Sequence, residues 1–204
     1  MKTTRAFIFA RGGSKGIKNK NLLPINGTSL VGHSVLLAKG LNEVEKVYVS
    51  TDSNQIEKEA LMHGADVIKR PIELATDEAP EWLAWQHAIK QATNKDGAFD
   101  IFLSLPPTSP LREPSDVRNC LNALTRKWDI VLTATNAQRN PWFNMVTIDS
   151  LGFTKLVCGD SSIARRQDAP HCFDLTTVAY VAKPDFILSA KSIWEGKVTT
   201  VNVP

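Results

Sequence analysis

Short apolar runs alternate with helix-period patterns along the first two thirds of the chain. Residues 5–10 (RAFIFA) read as a buried strand, followed by a polar loop to Asn26–Gly27. Residues 28–40 (TSLVGHSVLLAKG) read as a helix with Thr28 or Ser29 as N-cap, Leu30, Leu37 and Leu41 on its apolar side and Gly40 near its end. Residues 44–51 (VEKVYVST) form the next strand, and in 54–64 (NQIEKEALMHG) Ile56 and Ala60 lie one turn apart with Gly64 as a stop. A strand over 65–70 ends at Pro71, and a helix over 80–92 places Pro80 where a first turn tolerates it. A strand over 100–105 halts at Pro106–Pro107, a helix over 114–127 carries Val117, Leu121 and Leu124 on one face, and 129–135 (DIVLTAT) is again a buried strand.

Strand and helix in strict alternation, with strands that are apolar almost throughout, predict an α/β fold in which a mostly parallel sheet is covered by helices on both faces. Such sheets bind ligands beyond the carboxyl ends of their strands. After Thr135 the rhythm breaks. Residues 140–157 suggest two short strands around a turn at 150–152, residues 158–173 show no clear period, and strand composition returns at 176–182 and 198–203. The expected organisation is one domain over 1–204 with a small β-containing arm at about 138–172. No internal repeat or linker stands out.

Composition narrows the class. With 204 residues, 43% apolar and 22% charged, the chain suits one globular domain with a sizeable core. A net charge of +3 is too small to require a nucleic-acid partner. Cys120, Cys158 and Cys172 are odd in number and lack CxxC or metal-ligand spacing, so they are expected as reduced packing thiols. The N-terminal apolar run is too short for a signal peptide and no segment has the length of a membrane span. These features fit a cytoplasmic enzyme with neither membrane nor nucleic-acid partner.

The placement of the cations is more telling than their sum. Gly12, Gly13 and Ser14 follow the first strand directly, and Arg11, Lys15, Lys18 and Lys20 surround them. Backbone N–H groups of a glycine turn at a strand end can face an anion without side-chain interference. The Walker A pattern fails, since neither Gly12 nor Gly13 has a glycine five residues later, and Gly12, Gly13 and Gly16 do not space as GxGxxG. A cationic loop remains, suited to a nucleoside triphosphate whose leaving group gains charge during transfer.

ARGGSKGIKNKN resembles the opening motif of the acylneuraminate cytidylyltransferase family, the CMP-sialic and CMP-nonulosonic acid synthetases, through Ala10, Arg11, Gly13, Ser14, Lys15, Ile17, Lys20 and Asn21. STDS at 50–53, RPIELATDEA at 70–79 and PPTSPLR at 106–112 match family segments in order at successive strand ends. The resemblance implies a three-layer, Rossmann-like nucleotidyltransferase sheet, CTP and a nonulosonic acid as substrates, magnesium as cofactor, and a homodimer joined through the arm. It further implies that Ala10, Arg11, Gly12, Gly13, Ser14, Lys15, Lys20, Asn21, Arg70 and Asp77 bind the nucleotide, with Arg11 and Lys20 catalytic. For Asp77 a helix-start role competes. The sugar side would comprise Thr108, Ser109, Arg112, Arg166, Gln167, Asp174 and Thr176, although a proline-rich turn also explains Thr108 and Ser109, and a subunit salt bridge also explains the arginines.

The departures fall on the sugar side. Pro106 stands where sialic acid synthetases usually have glutamine, and FDLTTVAYVA at 173–182 differs from their Arg-Pro-Asn-Gly-Ala-Ile-Tyr run. The family places an Asp-x-Asp magnesium pair just beyond the strand that 198–204 resembles, and Pro204 is the last residue here, so no metal ligand is assigned; Asp52, Asp160, Asp168 and Asp174 are weaker candidates. Two alternatives stay open: a nucleotidyltransferase using another triphosphate and sugar, and a non-catalytic nucleotide-binding protein.

Overall fold

The computed structural model describes residues 2–159 and 163–204, and the chain divides into two compact units. The larger takes in residues 1–133 and 177–201, the smaller 134–176 and 202–204. Asp160 lies outside the described residues.

In the larger unit, strand β1 (Thr4–Phe9) leads through the cationic loop to a short hairpin, β2 (Pro24–Ile25) and β3 (Thr28–Ser29). Its turn holds Asn26 at φ 49° and Gly27 at φ 80°, the left-handed pair that matches the twist of flanking strands. Helix α1 (Leu30–Lys39) follows at once, capped by Ser29, whose Oγ accepts from the Gly32 N–H at 2.9 Å and donates to Glu59 Oε1 at 2.5 Å. Then come β4 (Val44–Thr51), α2 (Asn54–Met62), β5 (Asp66–Lys69), α3 (Glu81–Asp96), β6 (Ile101–Ser104) and α4 (Pro114–Ala123). Strand β7 (Ile130–Asn136) begins in this unit and ends in the smaller one. The smaller unit holds β8 (Val146–Ile148) and β9 (Thr154–Leu156); β10 (Phe173–Ala182) begins there and returns to the larger unit, which also holds α5 (Pro184–Ser189) and all of β11 (Val198–Asn202) but its last residue.

The seven-stranded sheet runs β11-β7-β10-β6-β1-β4-β5. β1 pairs parallel with β4 and with β6, and β4 pairs parallel with β5. The chain therefore leaves β1 toward β5 on one side and re-enters at β6 on the other, which opens a crevice above the carboxyl ends of β1 and β6. Strand β10 is antiparallel to β6, with Tyr180 opposite Ser104, so its beginning lies at the carboxyl end of β6.

Residues of β1 alternate between two cores, as a period-two strand buried on both faces requires. Ala6 and Ile8 join Val31, Val35, Val49 and Leu103 in an aliphatic core, whereas Phe7 joins Tyr48, Trp85, Ile89 and Phe102 in an aromatic one. Phe7 stacks on Tyr48 and Phe102 at centroid distances of 5.3 and 4.9 Å. Buried Cys120 packs in the aliphatic core, and burial pushes its thiol up to about 12.

The predicted elements appear in order with shifted ends. Helix α3 runs on to Asp96, whereas α4 stops at Ala123, before Thr125 and the aromatic Trp128. Pro80 sits at the N-cap of α3 rather than within its first turn. The β2–β3 hairpin and α5 are additions to the sequence reading.

In the smaller unit, β8 and β9 form an isolated antiparallel hairpin, with Asp149 Oδ1 accepting from the Leu151 and Phe153 N–H groups in its turn. Asn140 organises the preceding loop: its Nδ2 donates to the Pro170 carbonyl at 2.8 Å and its Oδ1 accepts from the Trp142 N–H at 2.9 Å.

Candidate active site

A cleft of about 640 Å³ opens in the larger unit beyond the carboxyl ends of its strands. Three strand-end loops wall it: Arg11–Asn21 after β1, Arg70–Ala79 after β5 and Pro106–Thr108 after β6. This is where the alternation of the sequence places a ligand.

The loop after β1 is held by its backbone. Ala10 is buried and its N–H donates to the Ser50 carbonyl at 3.1 Å; the Gly12 N–H donates to Asp52 Oδ1 at 2.8 Å; Asn21 Nδ2 donates to the Arg11 carbonyl at 3.0 Å. Gly13 takes φ +60°, a conformation that a side chain would strain. These bonds aim the side chains of Arg11, Ser14, Lys15, Lys20 and Asn21 into the cleft. Ala10, Gly12 and Gly13 do not line it, and Gly12 instead borders a narrow recess behind the loop.

Asp77 gathers two of the cations. Arg11 donates to it, with a second bond from Arg11 Nη1 to the Ala75 carbonyl at 3.3 Å, and Lys15 Nζ reaches it at 2.5 Å. Lys15 and Arg11 together hold the Asp77 carboxyl below its ordinary range. A cap role for Asp77 is not what the structure shows, because α3 begins four residues later at Glu81. Arg70 is buried, donating from Nε to Ser50 Oγ at 3.1 Å and from Nη2 to the Ser50 carbonyl at 2.8 Å, with its guanidinium 5.6 Å from the Phe9 ring centroid. Burial pulls its pKa down. Arg11, Lys15, Lys20 and Arg70 thus face two carboxylates in the cleft, Asp77 and Glu81, leaving a cationic surface for a polyanion.

Across the cleft, Thr108 Oγ1 and Ser109 Oγ lie 3.3 and 2.9 Å from Thr177 Oγ1. Thr108 and Thr177 line the cleft, Ser109 stands behind them, and Tyr180 forms the floor with Trp85 at 5.4 Å between ring centroids. Arg112 departs from the expected direct contact with a sugar. It is 8% exposed, absent from the cleft wall, and its guanidinium donates to the Pro106 carbonyl and to Ser34 Oγ.

Arg166, Gln167, Asp174 and Thr176 belong to the smaller unit. Arg166 donates to the Gln138 carbonyl at 3.3 Å, Gln167 and Asp174 are exposed, and Arg165 forks onto Asp168 at 2.8 and 3.0 Å.

The carboxylates considered for magnesium belong to no cluster of ligands among the described residues. Among the described residues no three His, Cys, Asp or Glu side chains converge. Asp52 accepts from the Gly12 N–H, Asp168 pairs with Arg165, Asp174 is exposed, and Asp160 lies outside the described residues. Hard divalent cations need several oxygens at once, and no such cluster occurs among the described residues.

Tyr180, Glu81 and Thr76 line the cleft beyond the residues expected from the sequence, and Thr177, from the stretch that departs from the sialic acid synthetase run, lines it too. Thr76 and Glu81 lay within reach of a sequence reading, next to Asp77 and inside the acidic start of α3. Tyr180 and Thr177 were less legible, because their position depends on β10 running antiparallel to β6. Among the described residues no helix is long and apolar enough to cross a membrane.

The chain matches the family model described as cytidylyltransferase over residues 6–140. It is 34% identical over 195 residues to the post-translational flagellin modification protein B of Campylobacter coli, covering 94% of this chain and 82% of that protein. Over the same length and shares it is 32% identical to the CMP-N,N'-diacetyllegionaminic acid synthase of Campylobacter jejuni subsp. jejuni. Among solved structures, a CMP:2-keto-3-deoxy-manno-octonic acid synthetase complexed with CTP superposes with a TM-score of 0.71 at 17% identity, covering 98% of this chain and 90% of that one. That likeness concerns the fold.

Proposed function

The chain belongs to the cytidylyltransferase family, and from this premise we propose that it activates a nonulosonic acid by transferring the cytidylyl group of CTP. The sugar's anomeric oxygen forms a bond to the α-phosphorus, the bond to the bridging oxygen breaks, pyrophosphate leaves, and the anomeric proton passes to solvent. The observation that carries the reading is the cleft itself, where Arg11, Lys15 and Lys20 converge from a strand-end loop on one cationic wall.

In this reading the phosphates lie along that wall. Arg11 brings a planar fork suited to two phosphate oxygens and Lys20 a compact charge near the α-phosphate. Both stabilise charge that grows as pyrophosphate departs. Arg70, clamped to Ser50, faces the base and ribose together with Asn21. Thr108, on the cleft wall, offers its hydroxyl to the polyhydroxylated acceptor, with Ser109 bonded to Thr177 behind it. Magnesium, which would neutralise charge on the triphosphate, is given no ligand from this chain. The arm at about 138–172 is the proposed homodimer contact, supported by exposed apolar residues on its hairpin, and the cytoplasm is the proposed compartment.

Pyrophosphate release with CTP, magnesium and a panel of nonulosonic acids tests the reading, with UTP and GTP as controls. Turnover is expected with CTP alone and with one acceptor class. Turnover only with UTP or GTP favours the alternative nucleotidyltransferase, and CTP binding without turnover on any acceptor favours a binding protein. Lys20→Ala should lower kcat by about 100-fold, the range seen on removing one transition-state donor, while the Kd for CTP changes far less. Equal losses in both would remove the assigned role.

A further inference from the structure

The loop after β6 has an unusual backbone problem. Pro106 and Pro107 carry no N–H, so this part of the cleft wall cannot be fixed by donating hydrogen bonds of its own. Its handles are carbonyls. The turn bonds that close the loop, Ser109 N–H to the Pro106 carbonyl and Arg112 N–H to the Ser109 carbonyl, are both long at 3.4 Å.

Arg112 reaches back beneath this loop. One terminal nitrogen donates to the Pro106 carbonyl and the other to Ser34 Oγ at 3.3 Å, on the buried face of α1. Among the described residues no carboxylate pairs with it, and its Nε has no hydrogen-bond partner. Burial pulls its pKa down to about 10, so it remains charged at neutral pH. A buried cation without a counter-ion is costly, and an apolar side chain of similar length would avoid that cost. The charge in this place has one structural output: it ties a donor-free segment of the cleft wall to the first helix.

We propose that Arg112 is a positioning residue for the acceptor side of the cleft, holding the Pro106 carbonyl and thereby the Thr108 and Ser109 hydroxyls in register with Thr177, without touching the ligand. The acceptor assignment rests on the function proposed above. The strut itself does not.

Two variants of the full chain test it, Arg112→Met, which keeps the bulk and removes the donors, and Arg112→Lys, which keeps a donor. Hydrogen exchange without substrate is read first. The amides of Thr108, Ser109, Leu111 and residue 112 are expected to exchange about tenfold faster in the Met variant, with those of residues 11–21 unchanged and the Lys variant intermediate. In steady-state assays the Met variant should raise the acceptor KM by about tenfold, as misplaced contacts do, with CTP Kd within about twofold. Its urea midpoint should hold or rise, because an uncompensated charge has been removed. Unchanged exchange at 108–112 overturns the strut. So does a parallel loss of CTP binding, acceptor KM and urea midpoint, which marks a general structural role. A wild-type chain inactive on every nonulosonic acid defeats the functional reading while the exchange result still judges Arg112; should the Met variant not fold, the Lys variant's exchange pattern decides.

Discussion

At Asp77 one carboxylate faces both Arg11 and Lys15, the cations on which the triphosphate is proposed to sit. It serves as a counter-charge in the cleft, with which the phosphate oxygens of the proposed CTP would compete. Asp77→Asn should therefore tighten CTP binding several-fold at low ionic strength, with the gain shrinking as salt rises, because Lys15 is largely exposed and its field is screened. Titration calorimetry at two salt concentrations checks this; weaker binding would mean that the carboxylate chiefly holds the cations in place. The pH dependence follows from the depressed pKa of Asp77. Its ion pairs stabilise the fold fully above the ordinary carboxylate pKa of about 4, and this contribution is lost as pH falls through the lower folded value. Between pH 6 and 8 the pairs should be unaffected, and a carboxyl NMR titration of Asp77 should show a midpoint below that ordinary range. At this scale the sequence was informative for the β1 loop, since Arg11, Ser14, Lys15, Lys20 and Asn21 do share one cleft. It misled for Arg112, whose direction depends on a loop folding back over α1.

Among the elements, the start of α1 joins sequence to tertiary structure most directly. Ser29 was legible as a cap, and the same hydroxyl also donates to Glu59 of α2, so it links two helices. Ser29→Ala should destabilise the protein by about 1–2 kcal/mol, the upper range for loss of a cap, read as a lower urea midpoint. The Asn26–Gly27 pair before it is a hairpin signal that a reading of apolar periodicity passed over, because strands of two residues have no period to detect. Strand β10 shows the opposite limit: its composition identified a strand, but direction is a property of pairing. Running antiparallel to β6, it delivers Thr177 and Tyr180 to the cleft from the far side.

Across the whole molecule, each unit has its own test. In the larger, Phe7 is fully buried between Tyr48 and Phe102, and Phe7→Ala should cost about 3–5 kcal/mol through lost contacts and a cavity. Thermal unfolding measures this directly. In the smaller, the β8–β9 hairpin leaves Ile148 at 69% and Phe153 at 72% exposure, more apolar surface than a small free hairpin usually offers to water. If this arm joins two copies, the double substitution Ile148→Ser with Phe153→Ser should shift the sedimentation behaviour from dimer to monomer; a wild-type monomer would remove the arm from that role.

From the sequence alone came the order of the main strands and helices and the chemistry of the first loop. Hydrophobic period and capping residues act over a few neighbours, and a glycine turn with its cations is contiguous in the chain. The tertiary structure alone decided which distant groups meet: Asp77 with Arg11 and Lys15 across 62–66 positions, Thr177 with Thr108 and Ser109, and Arg112 with Ser34. These encounters depend on sheet order, strand direction and the burial of a charge, and each arises only when many weak local preferences are satisfied together by one packing.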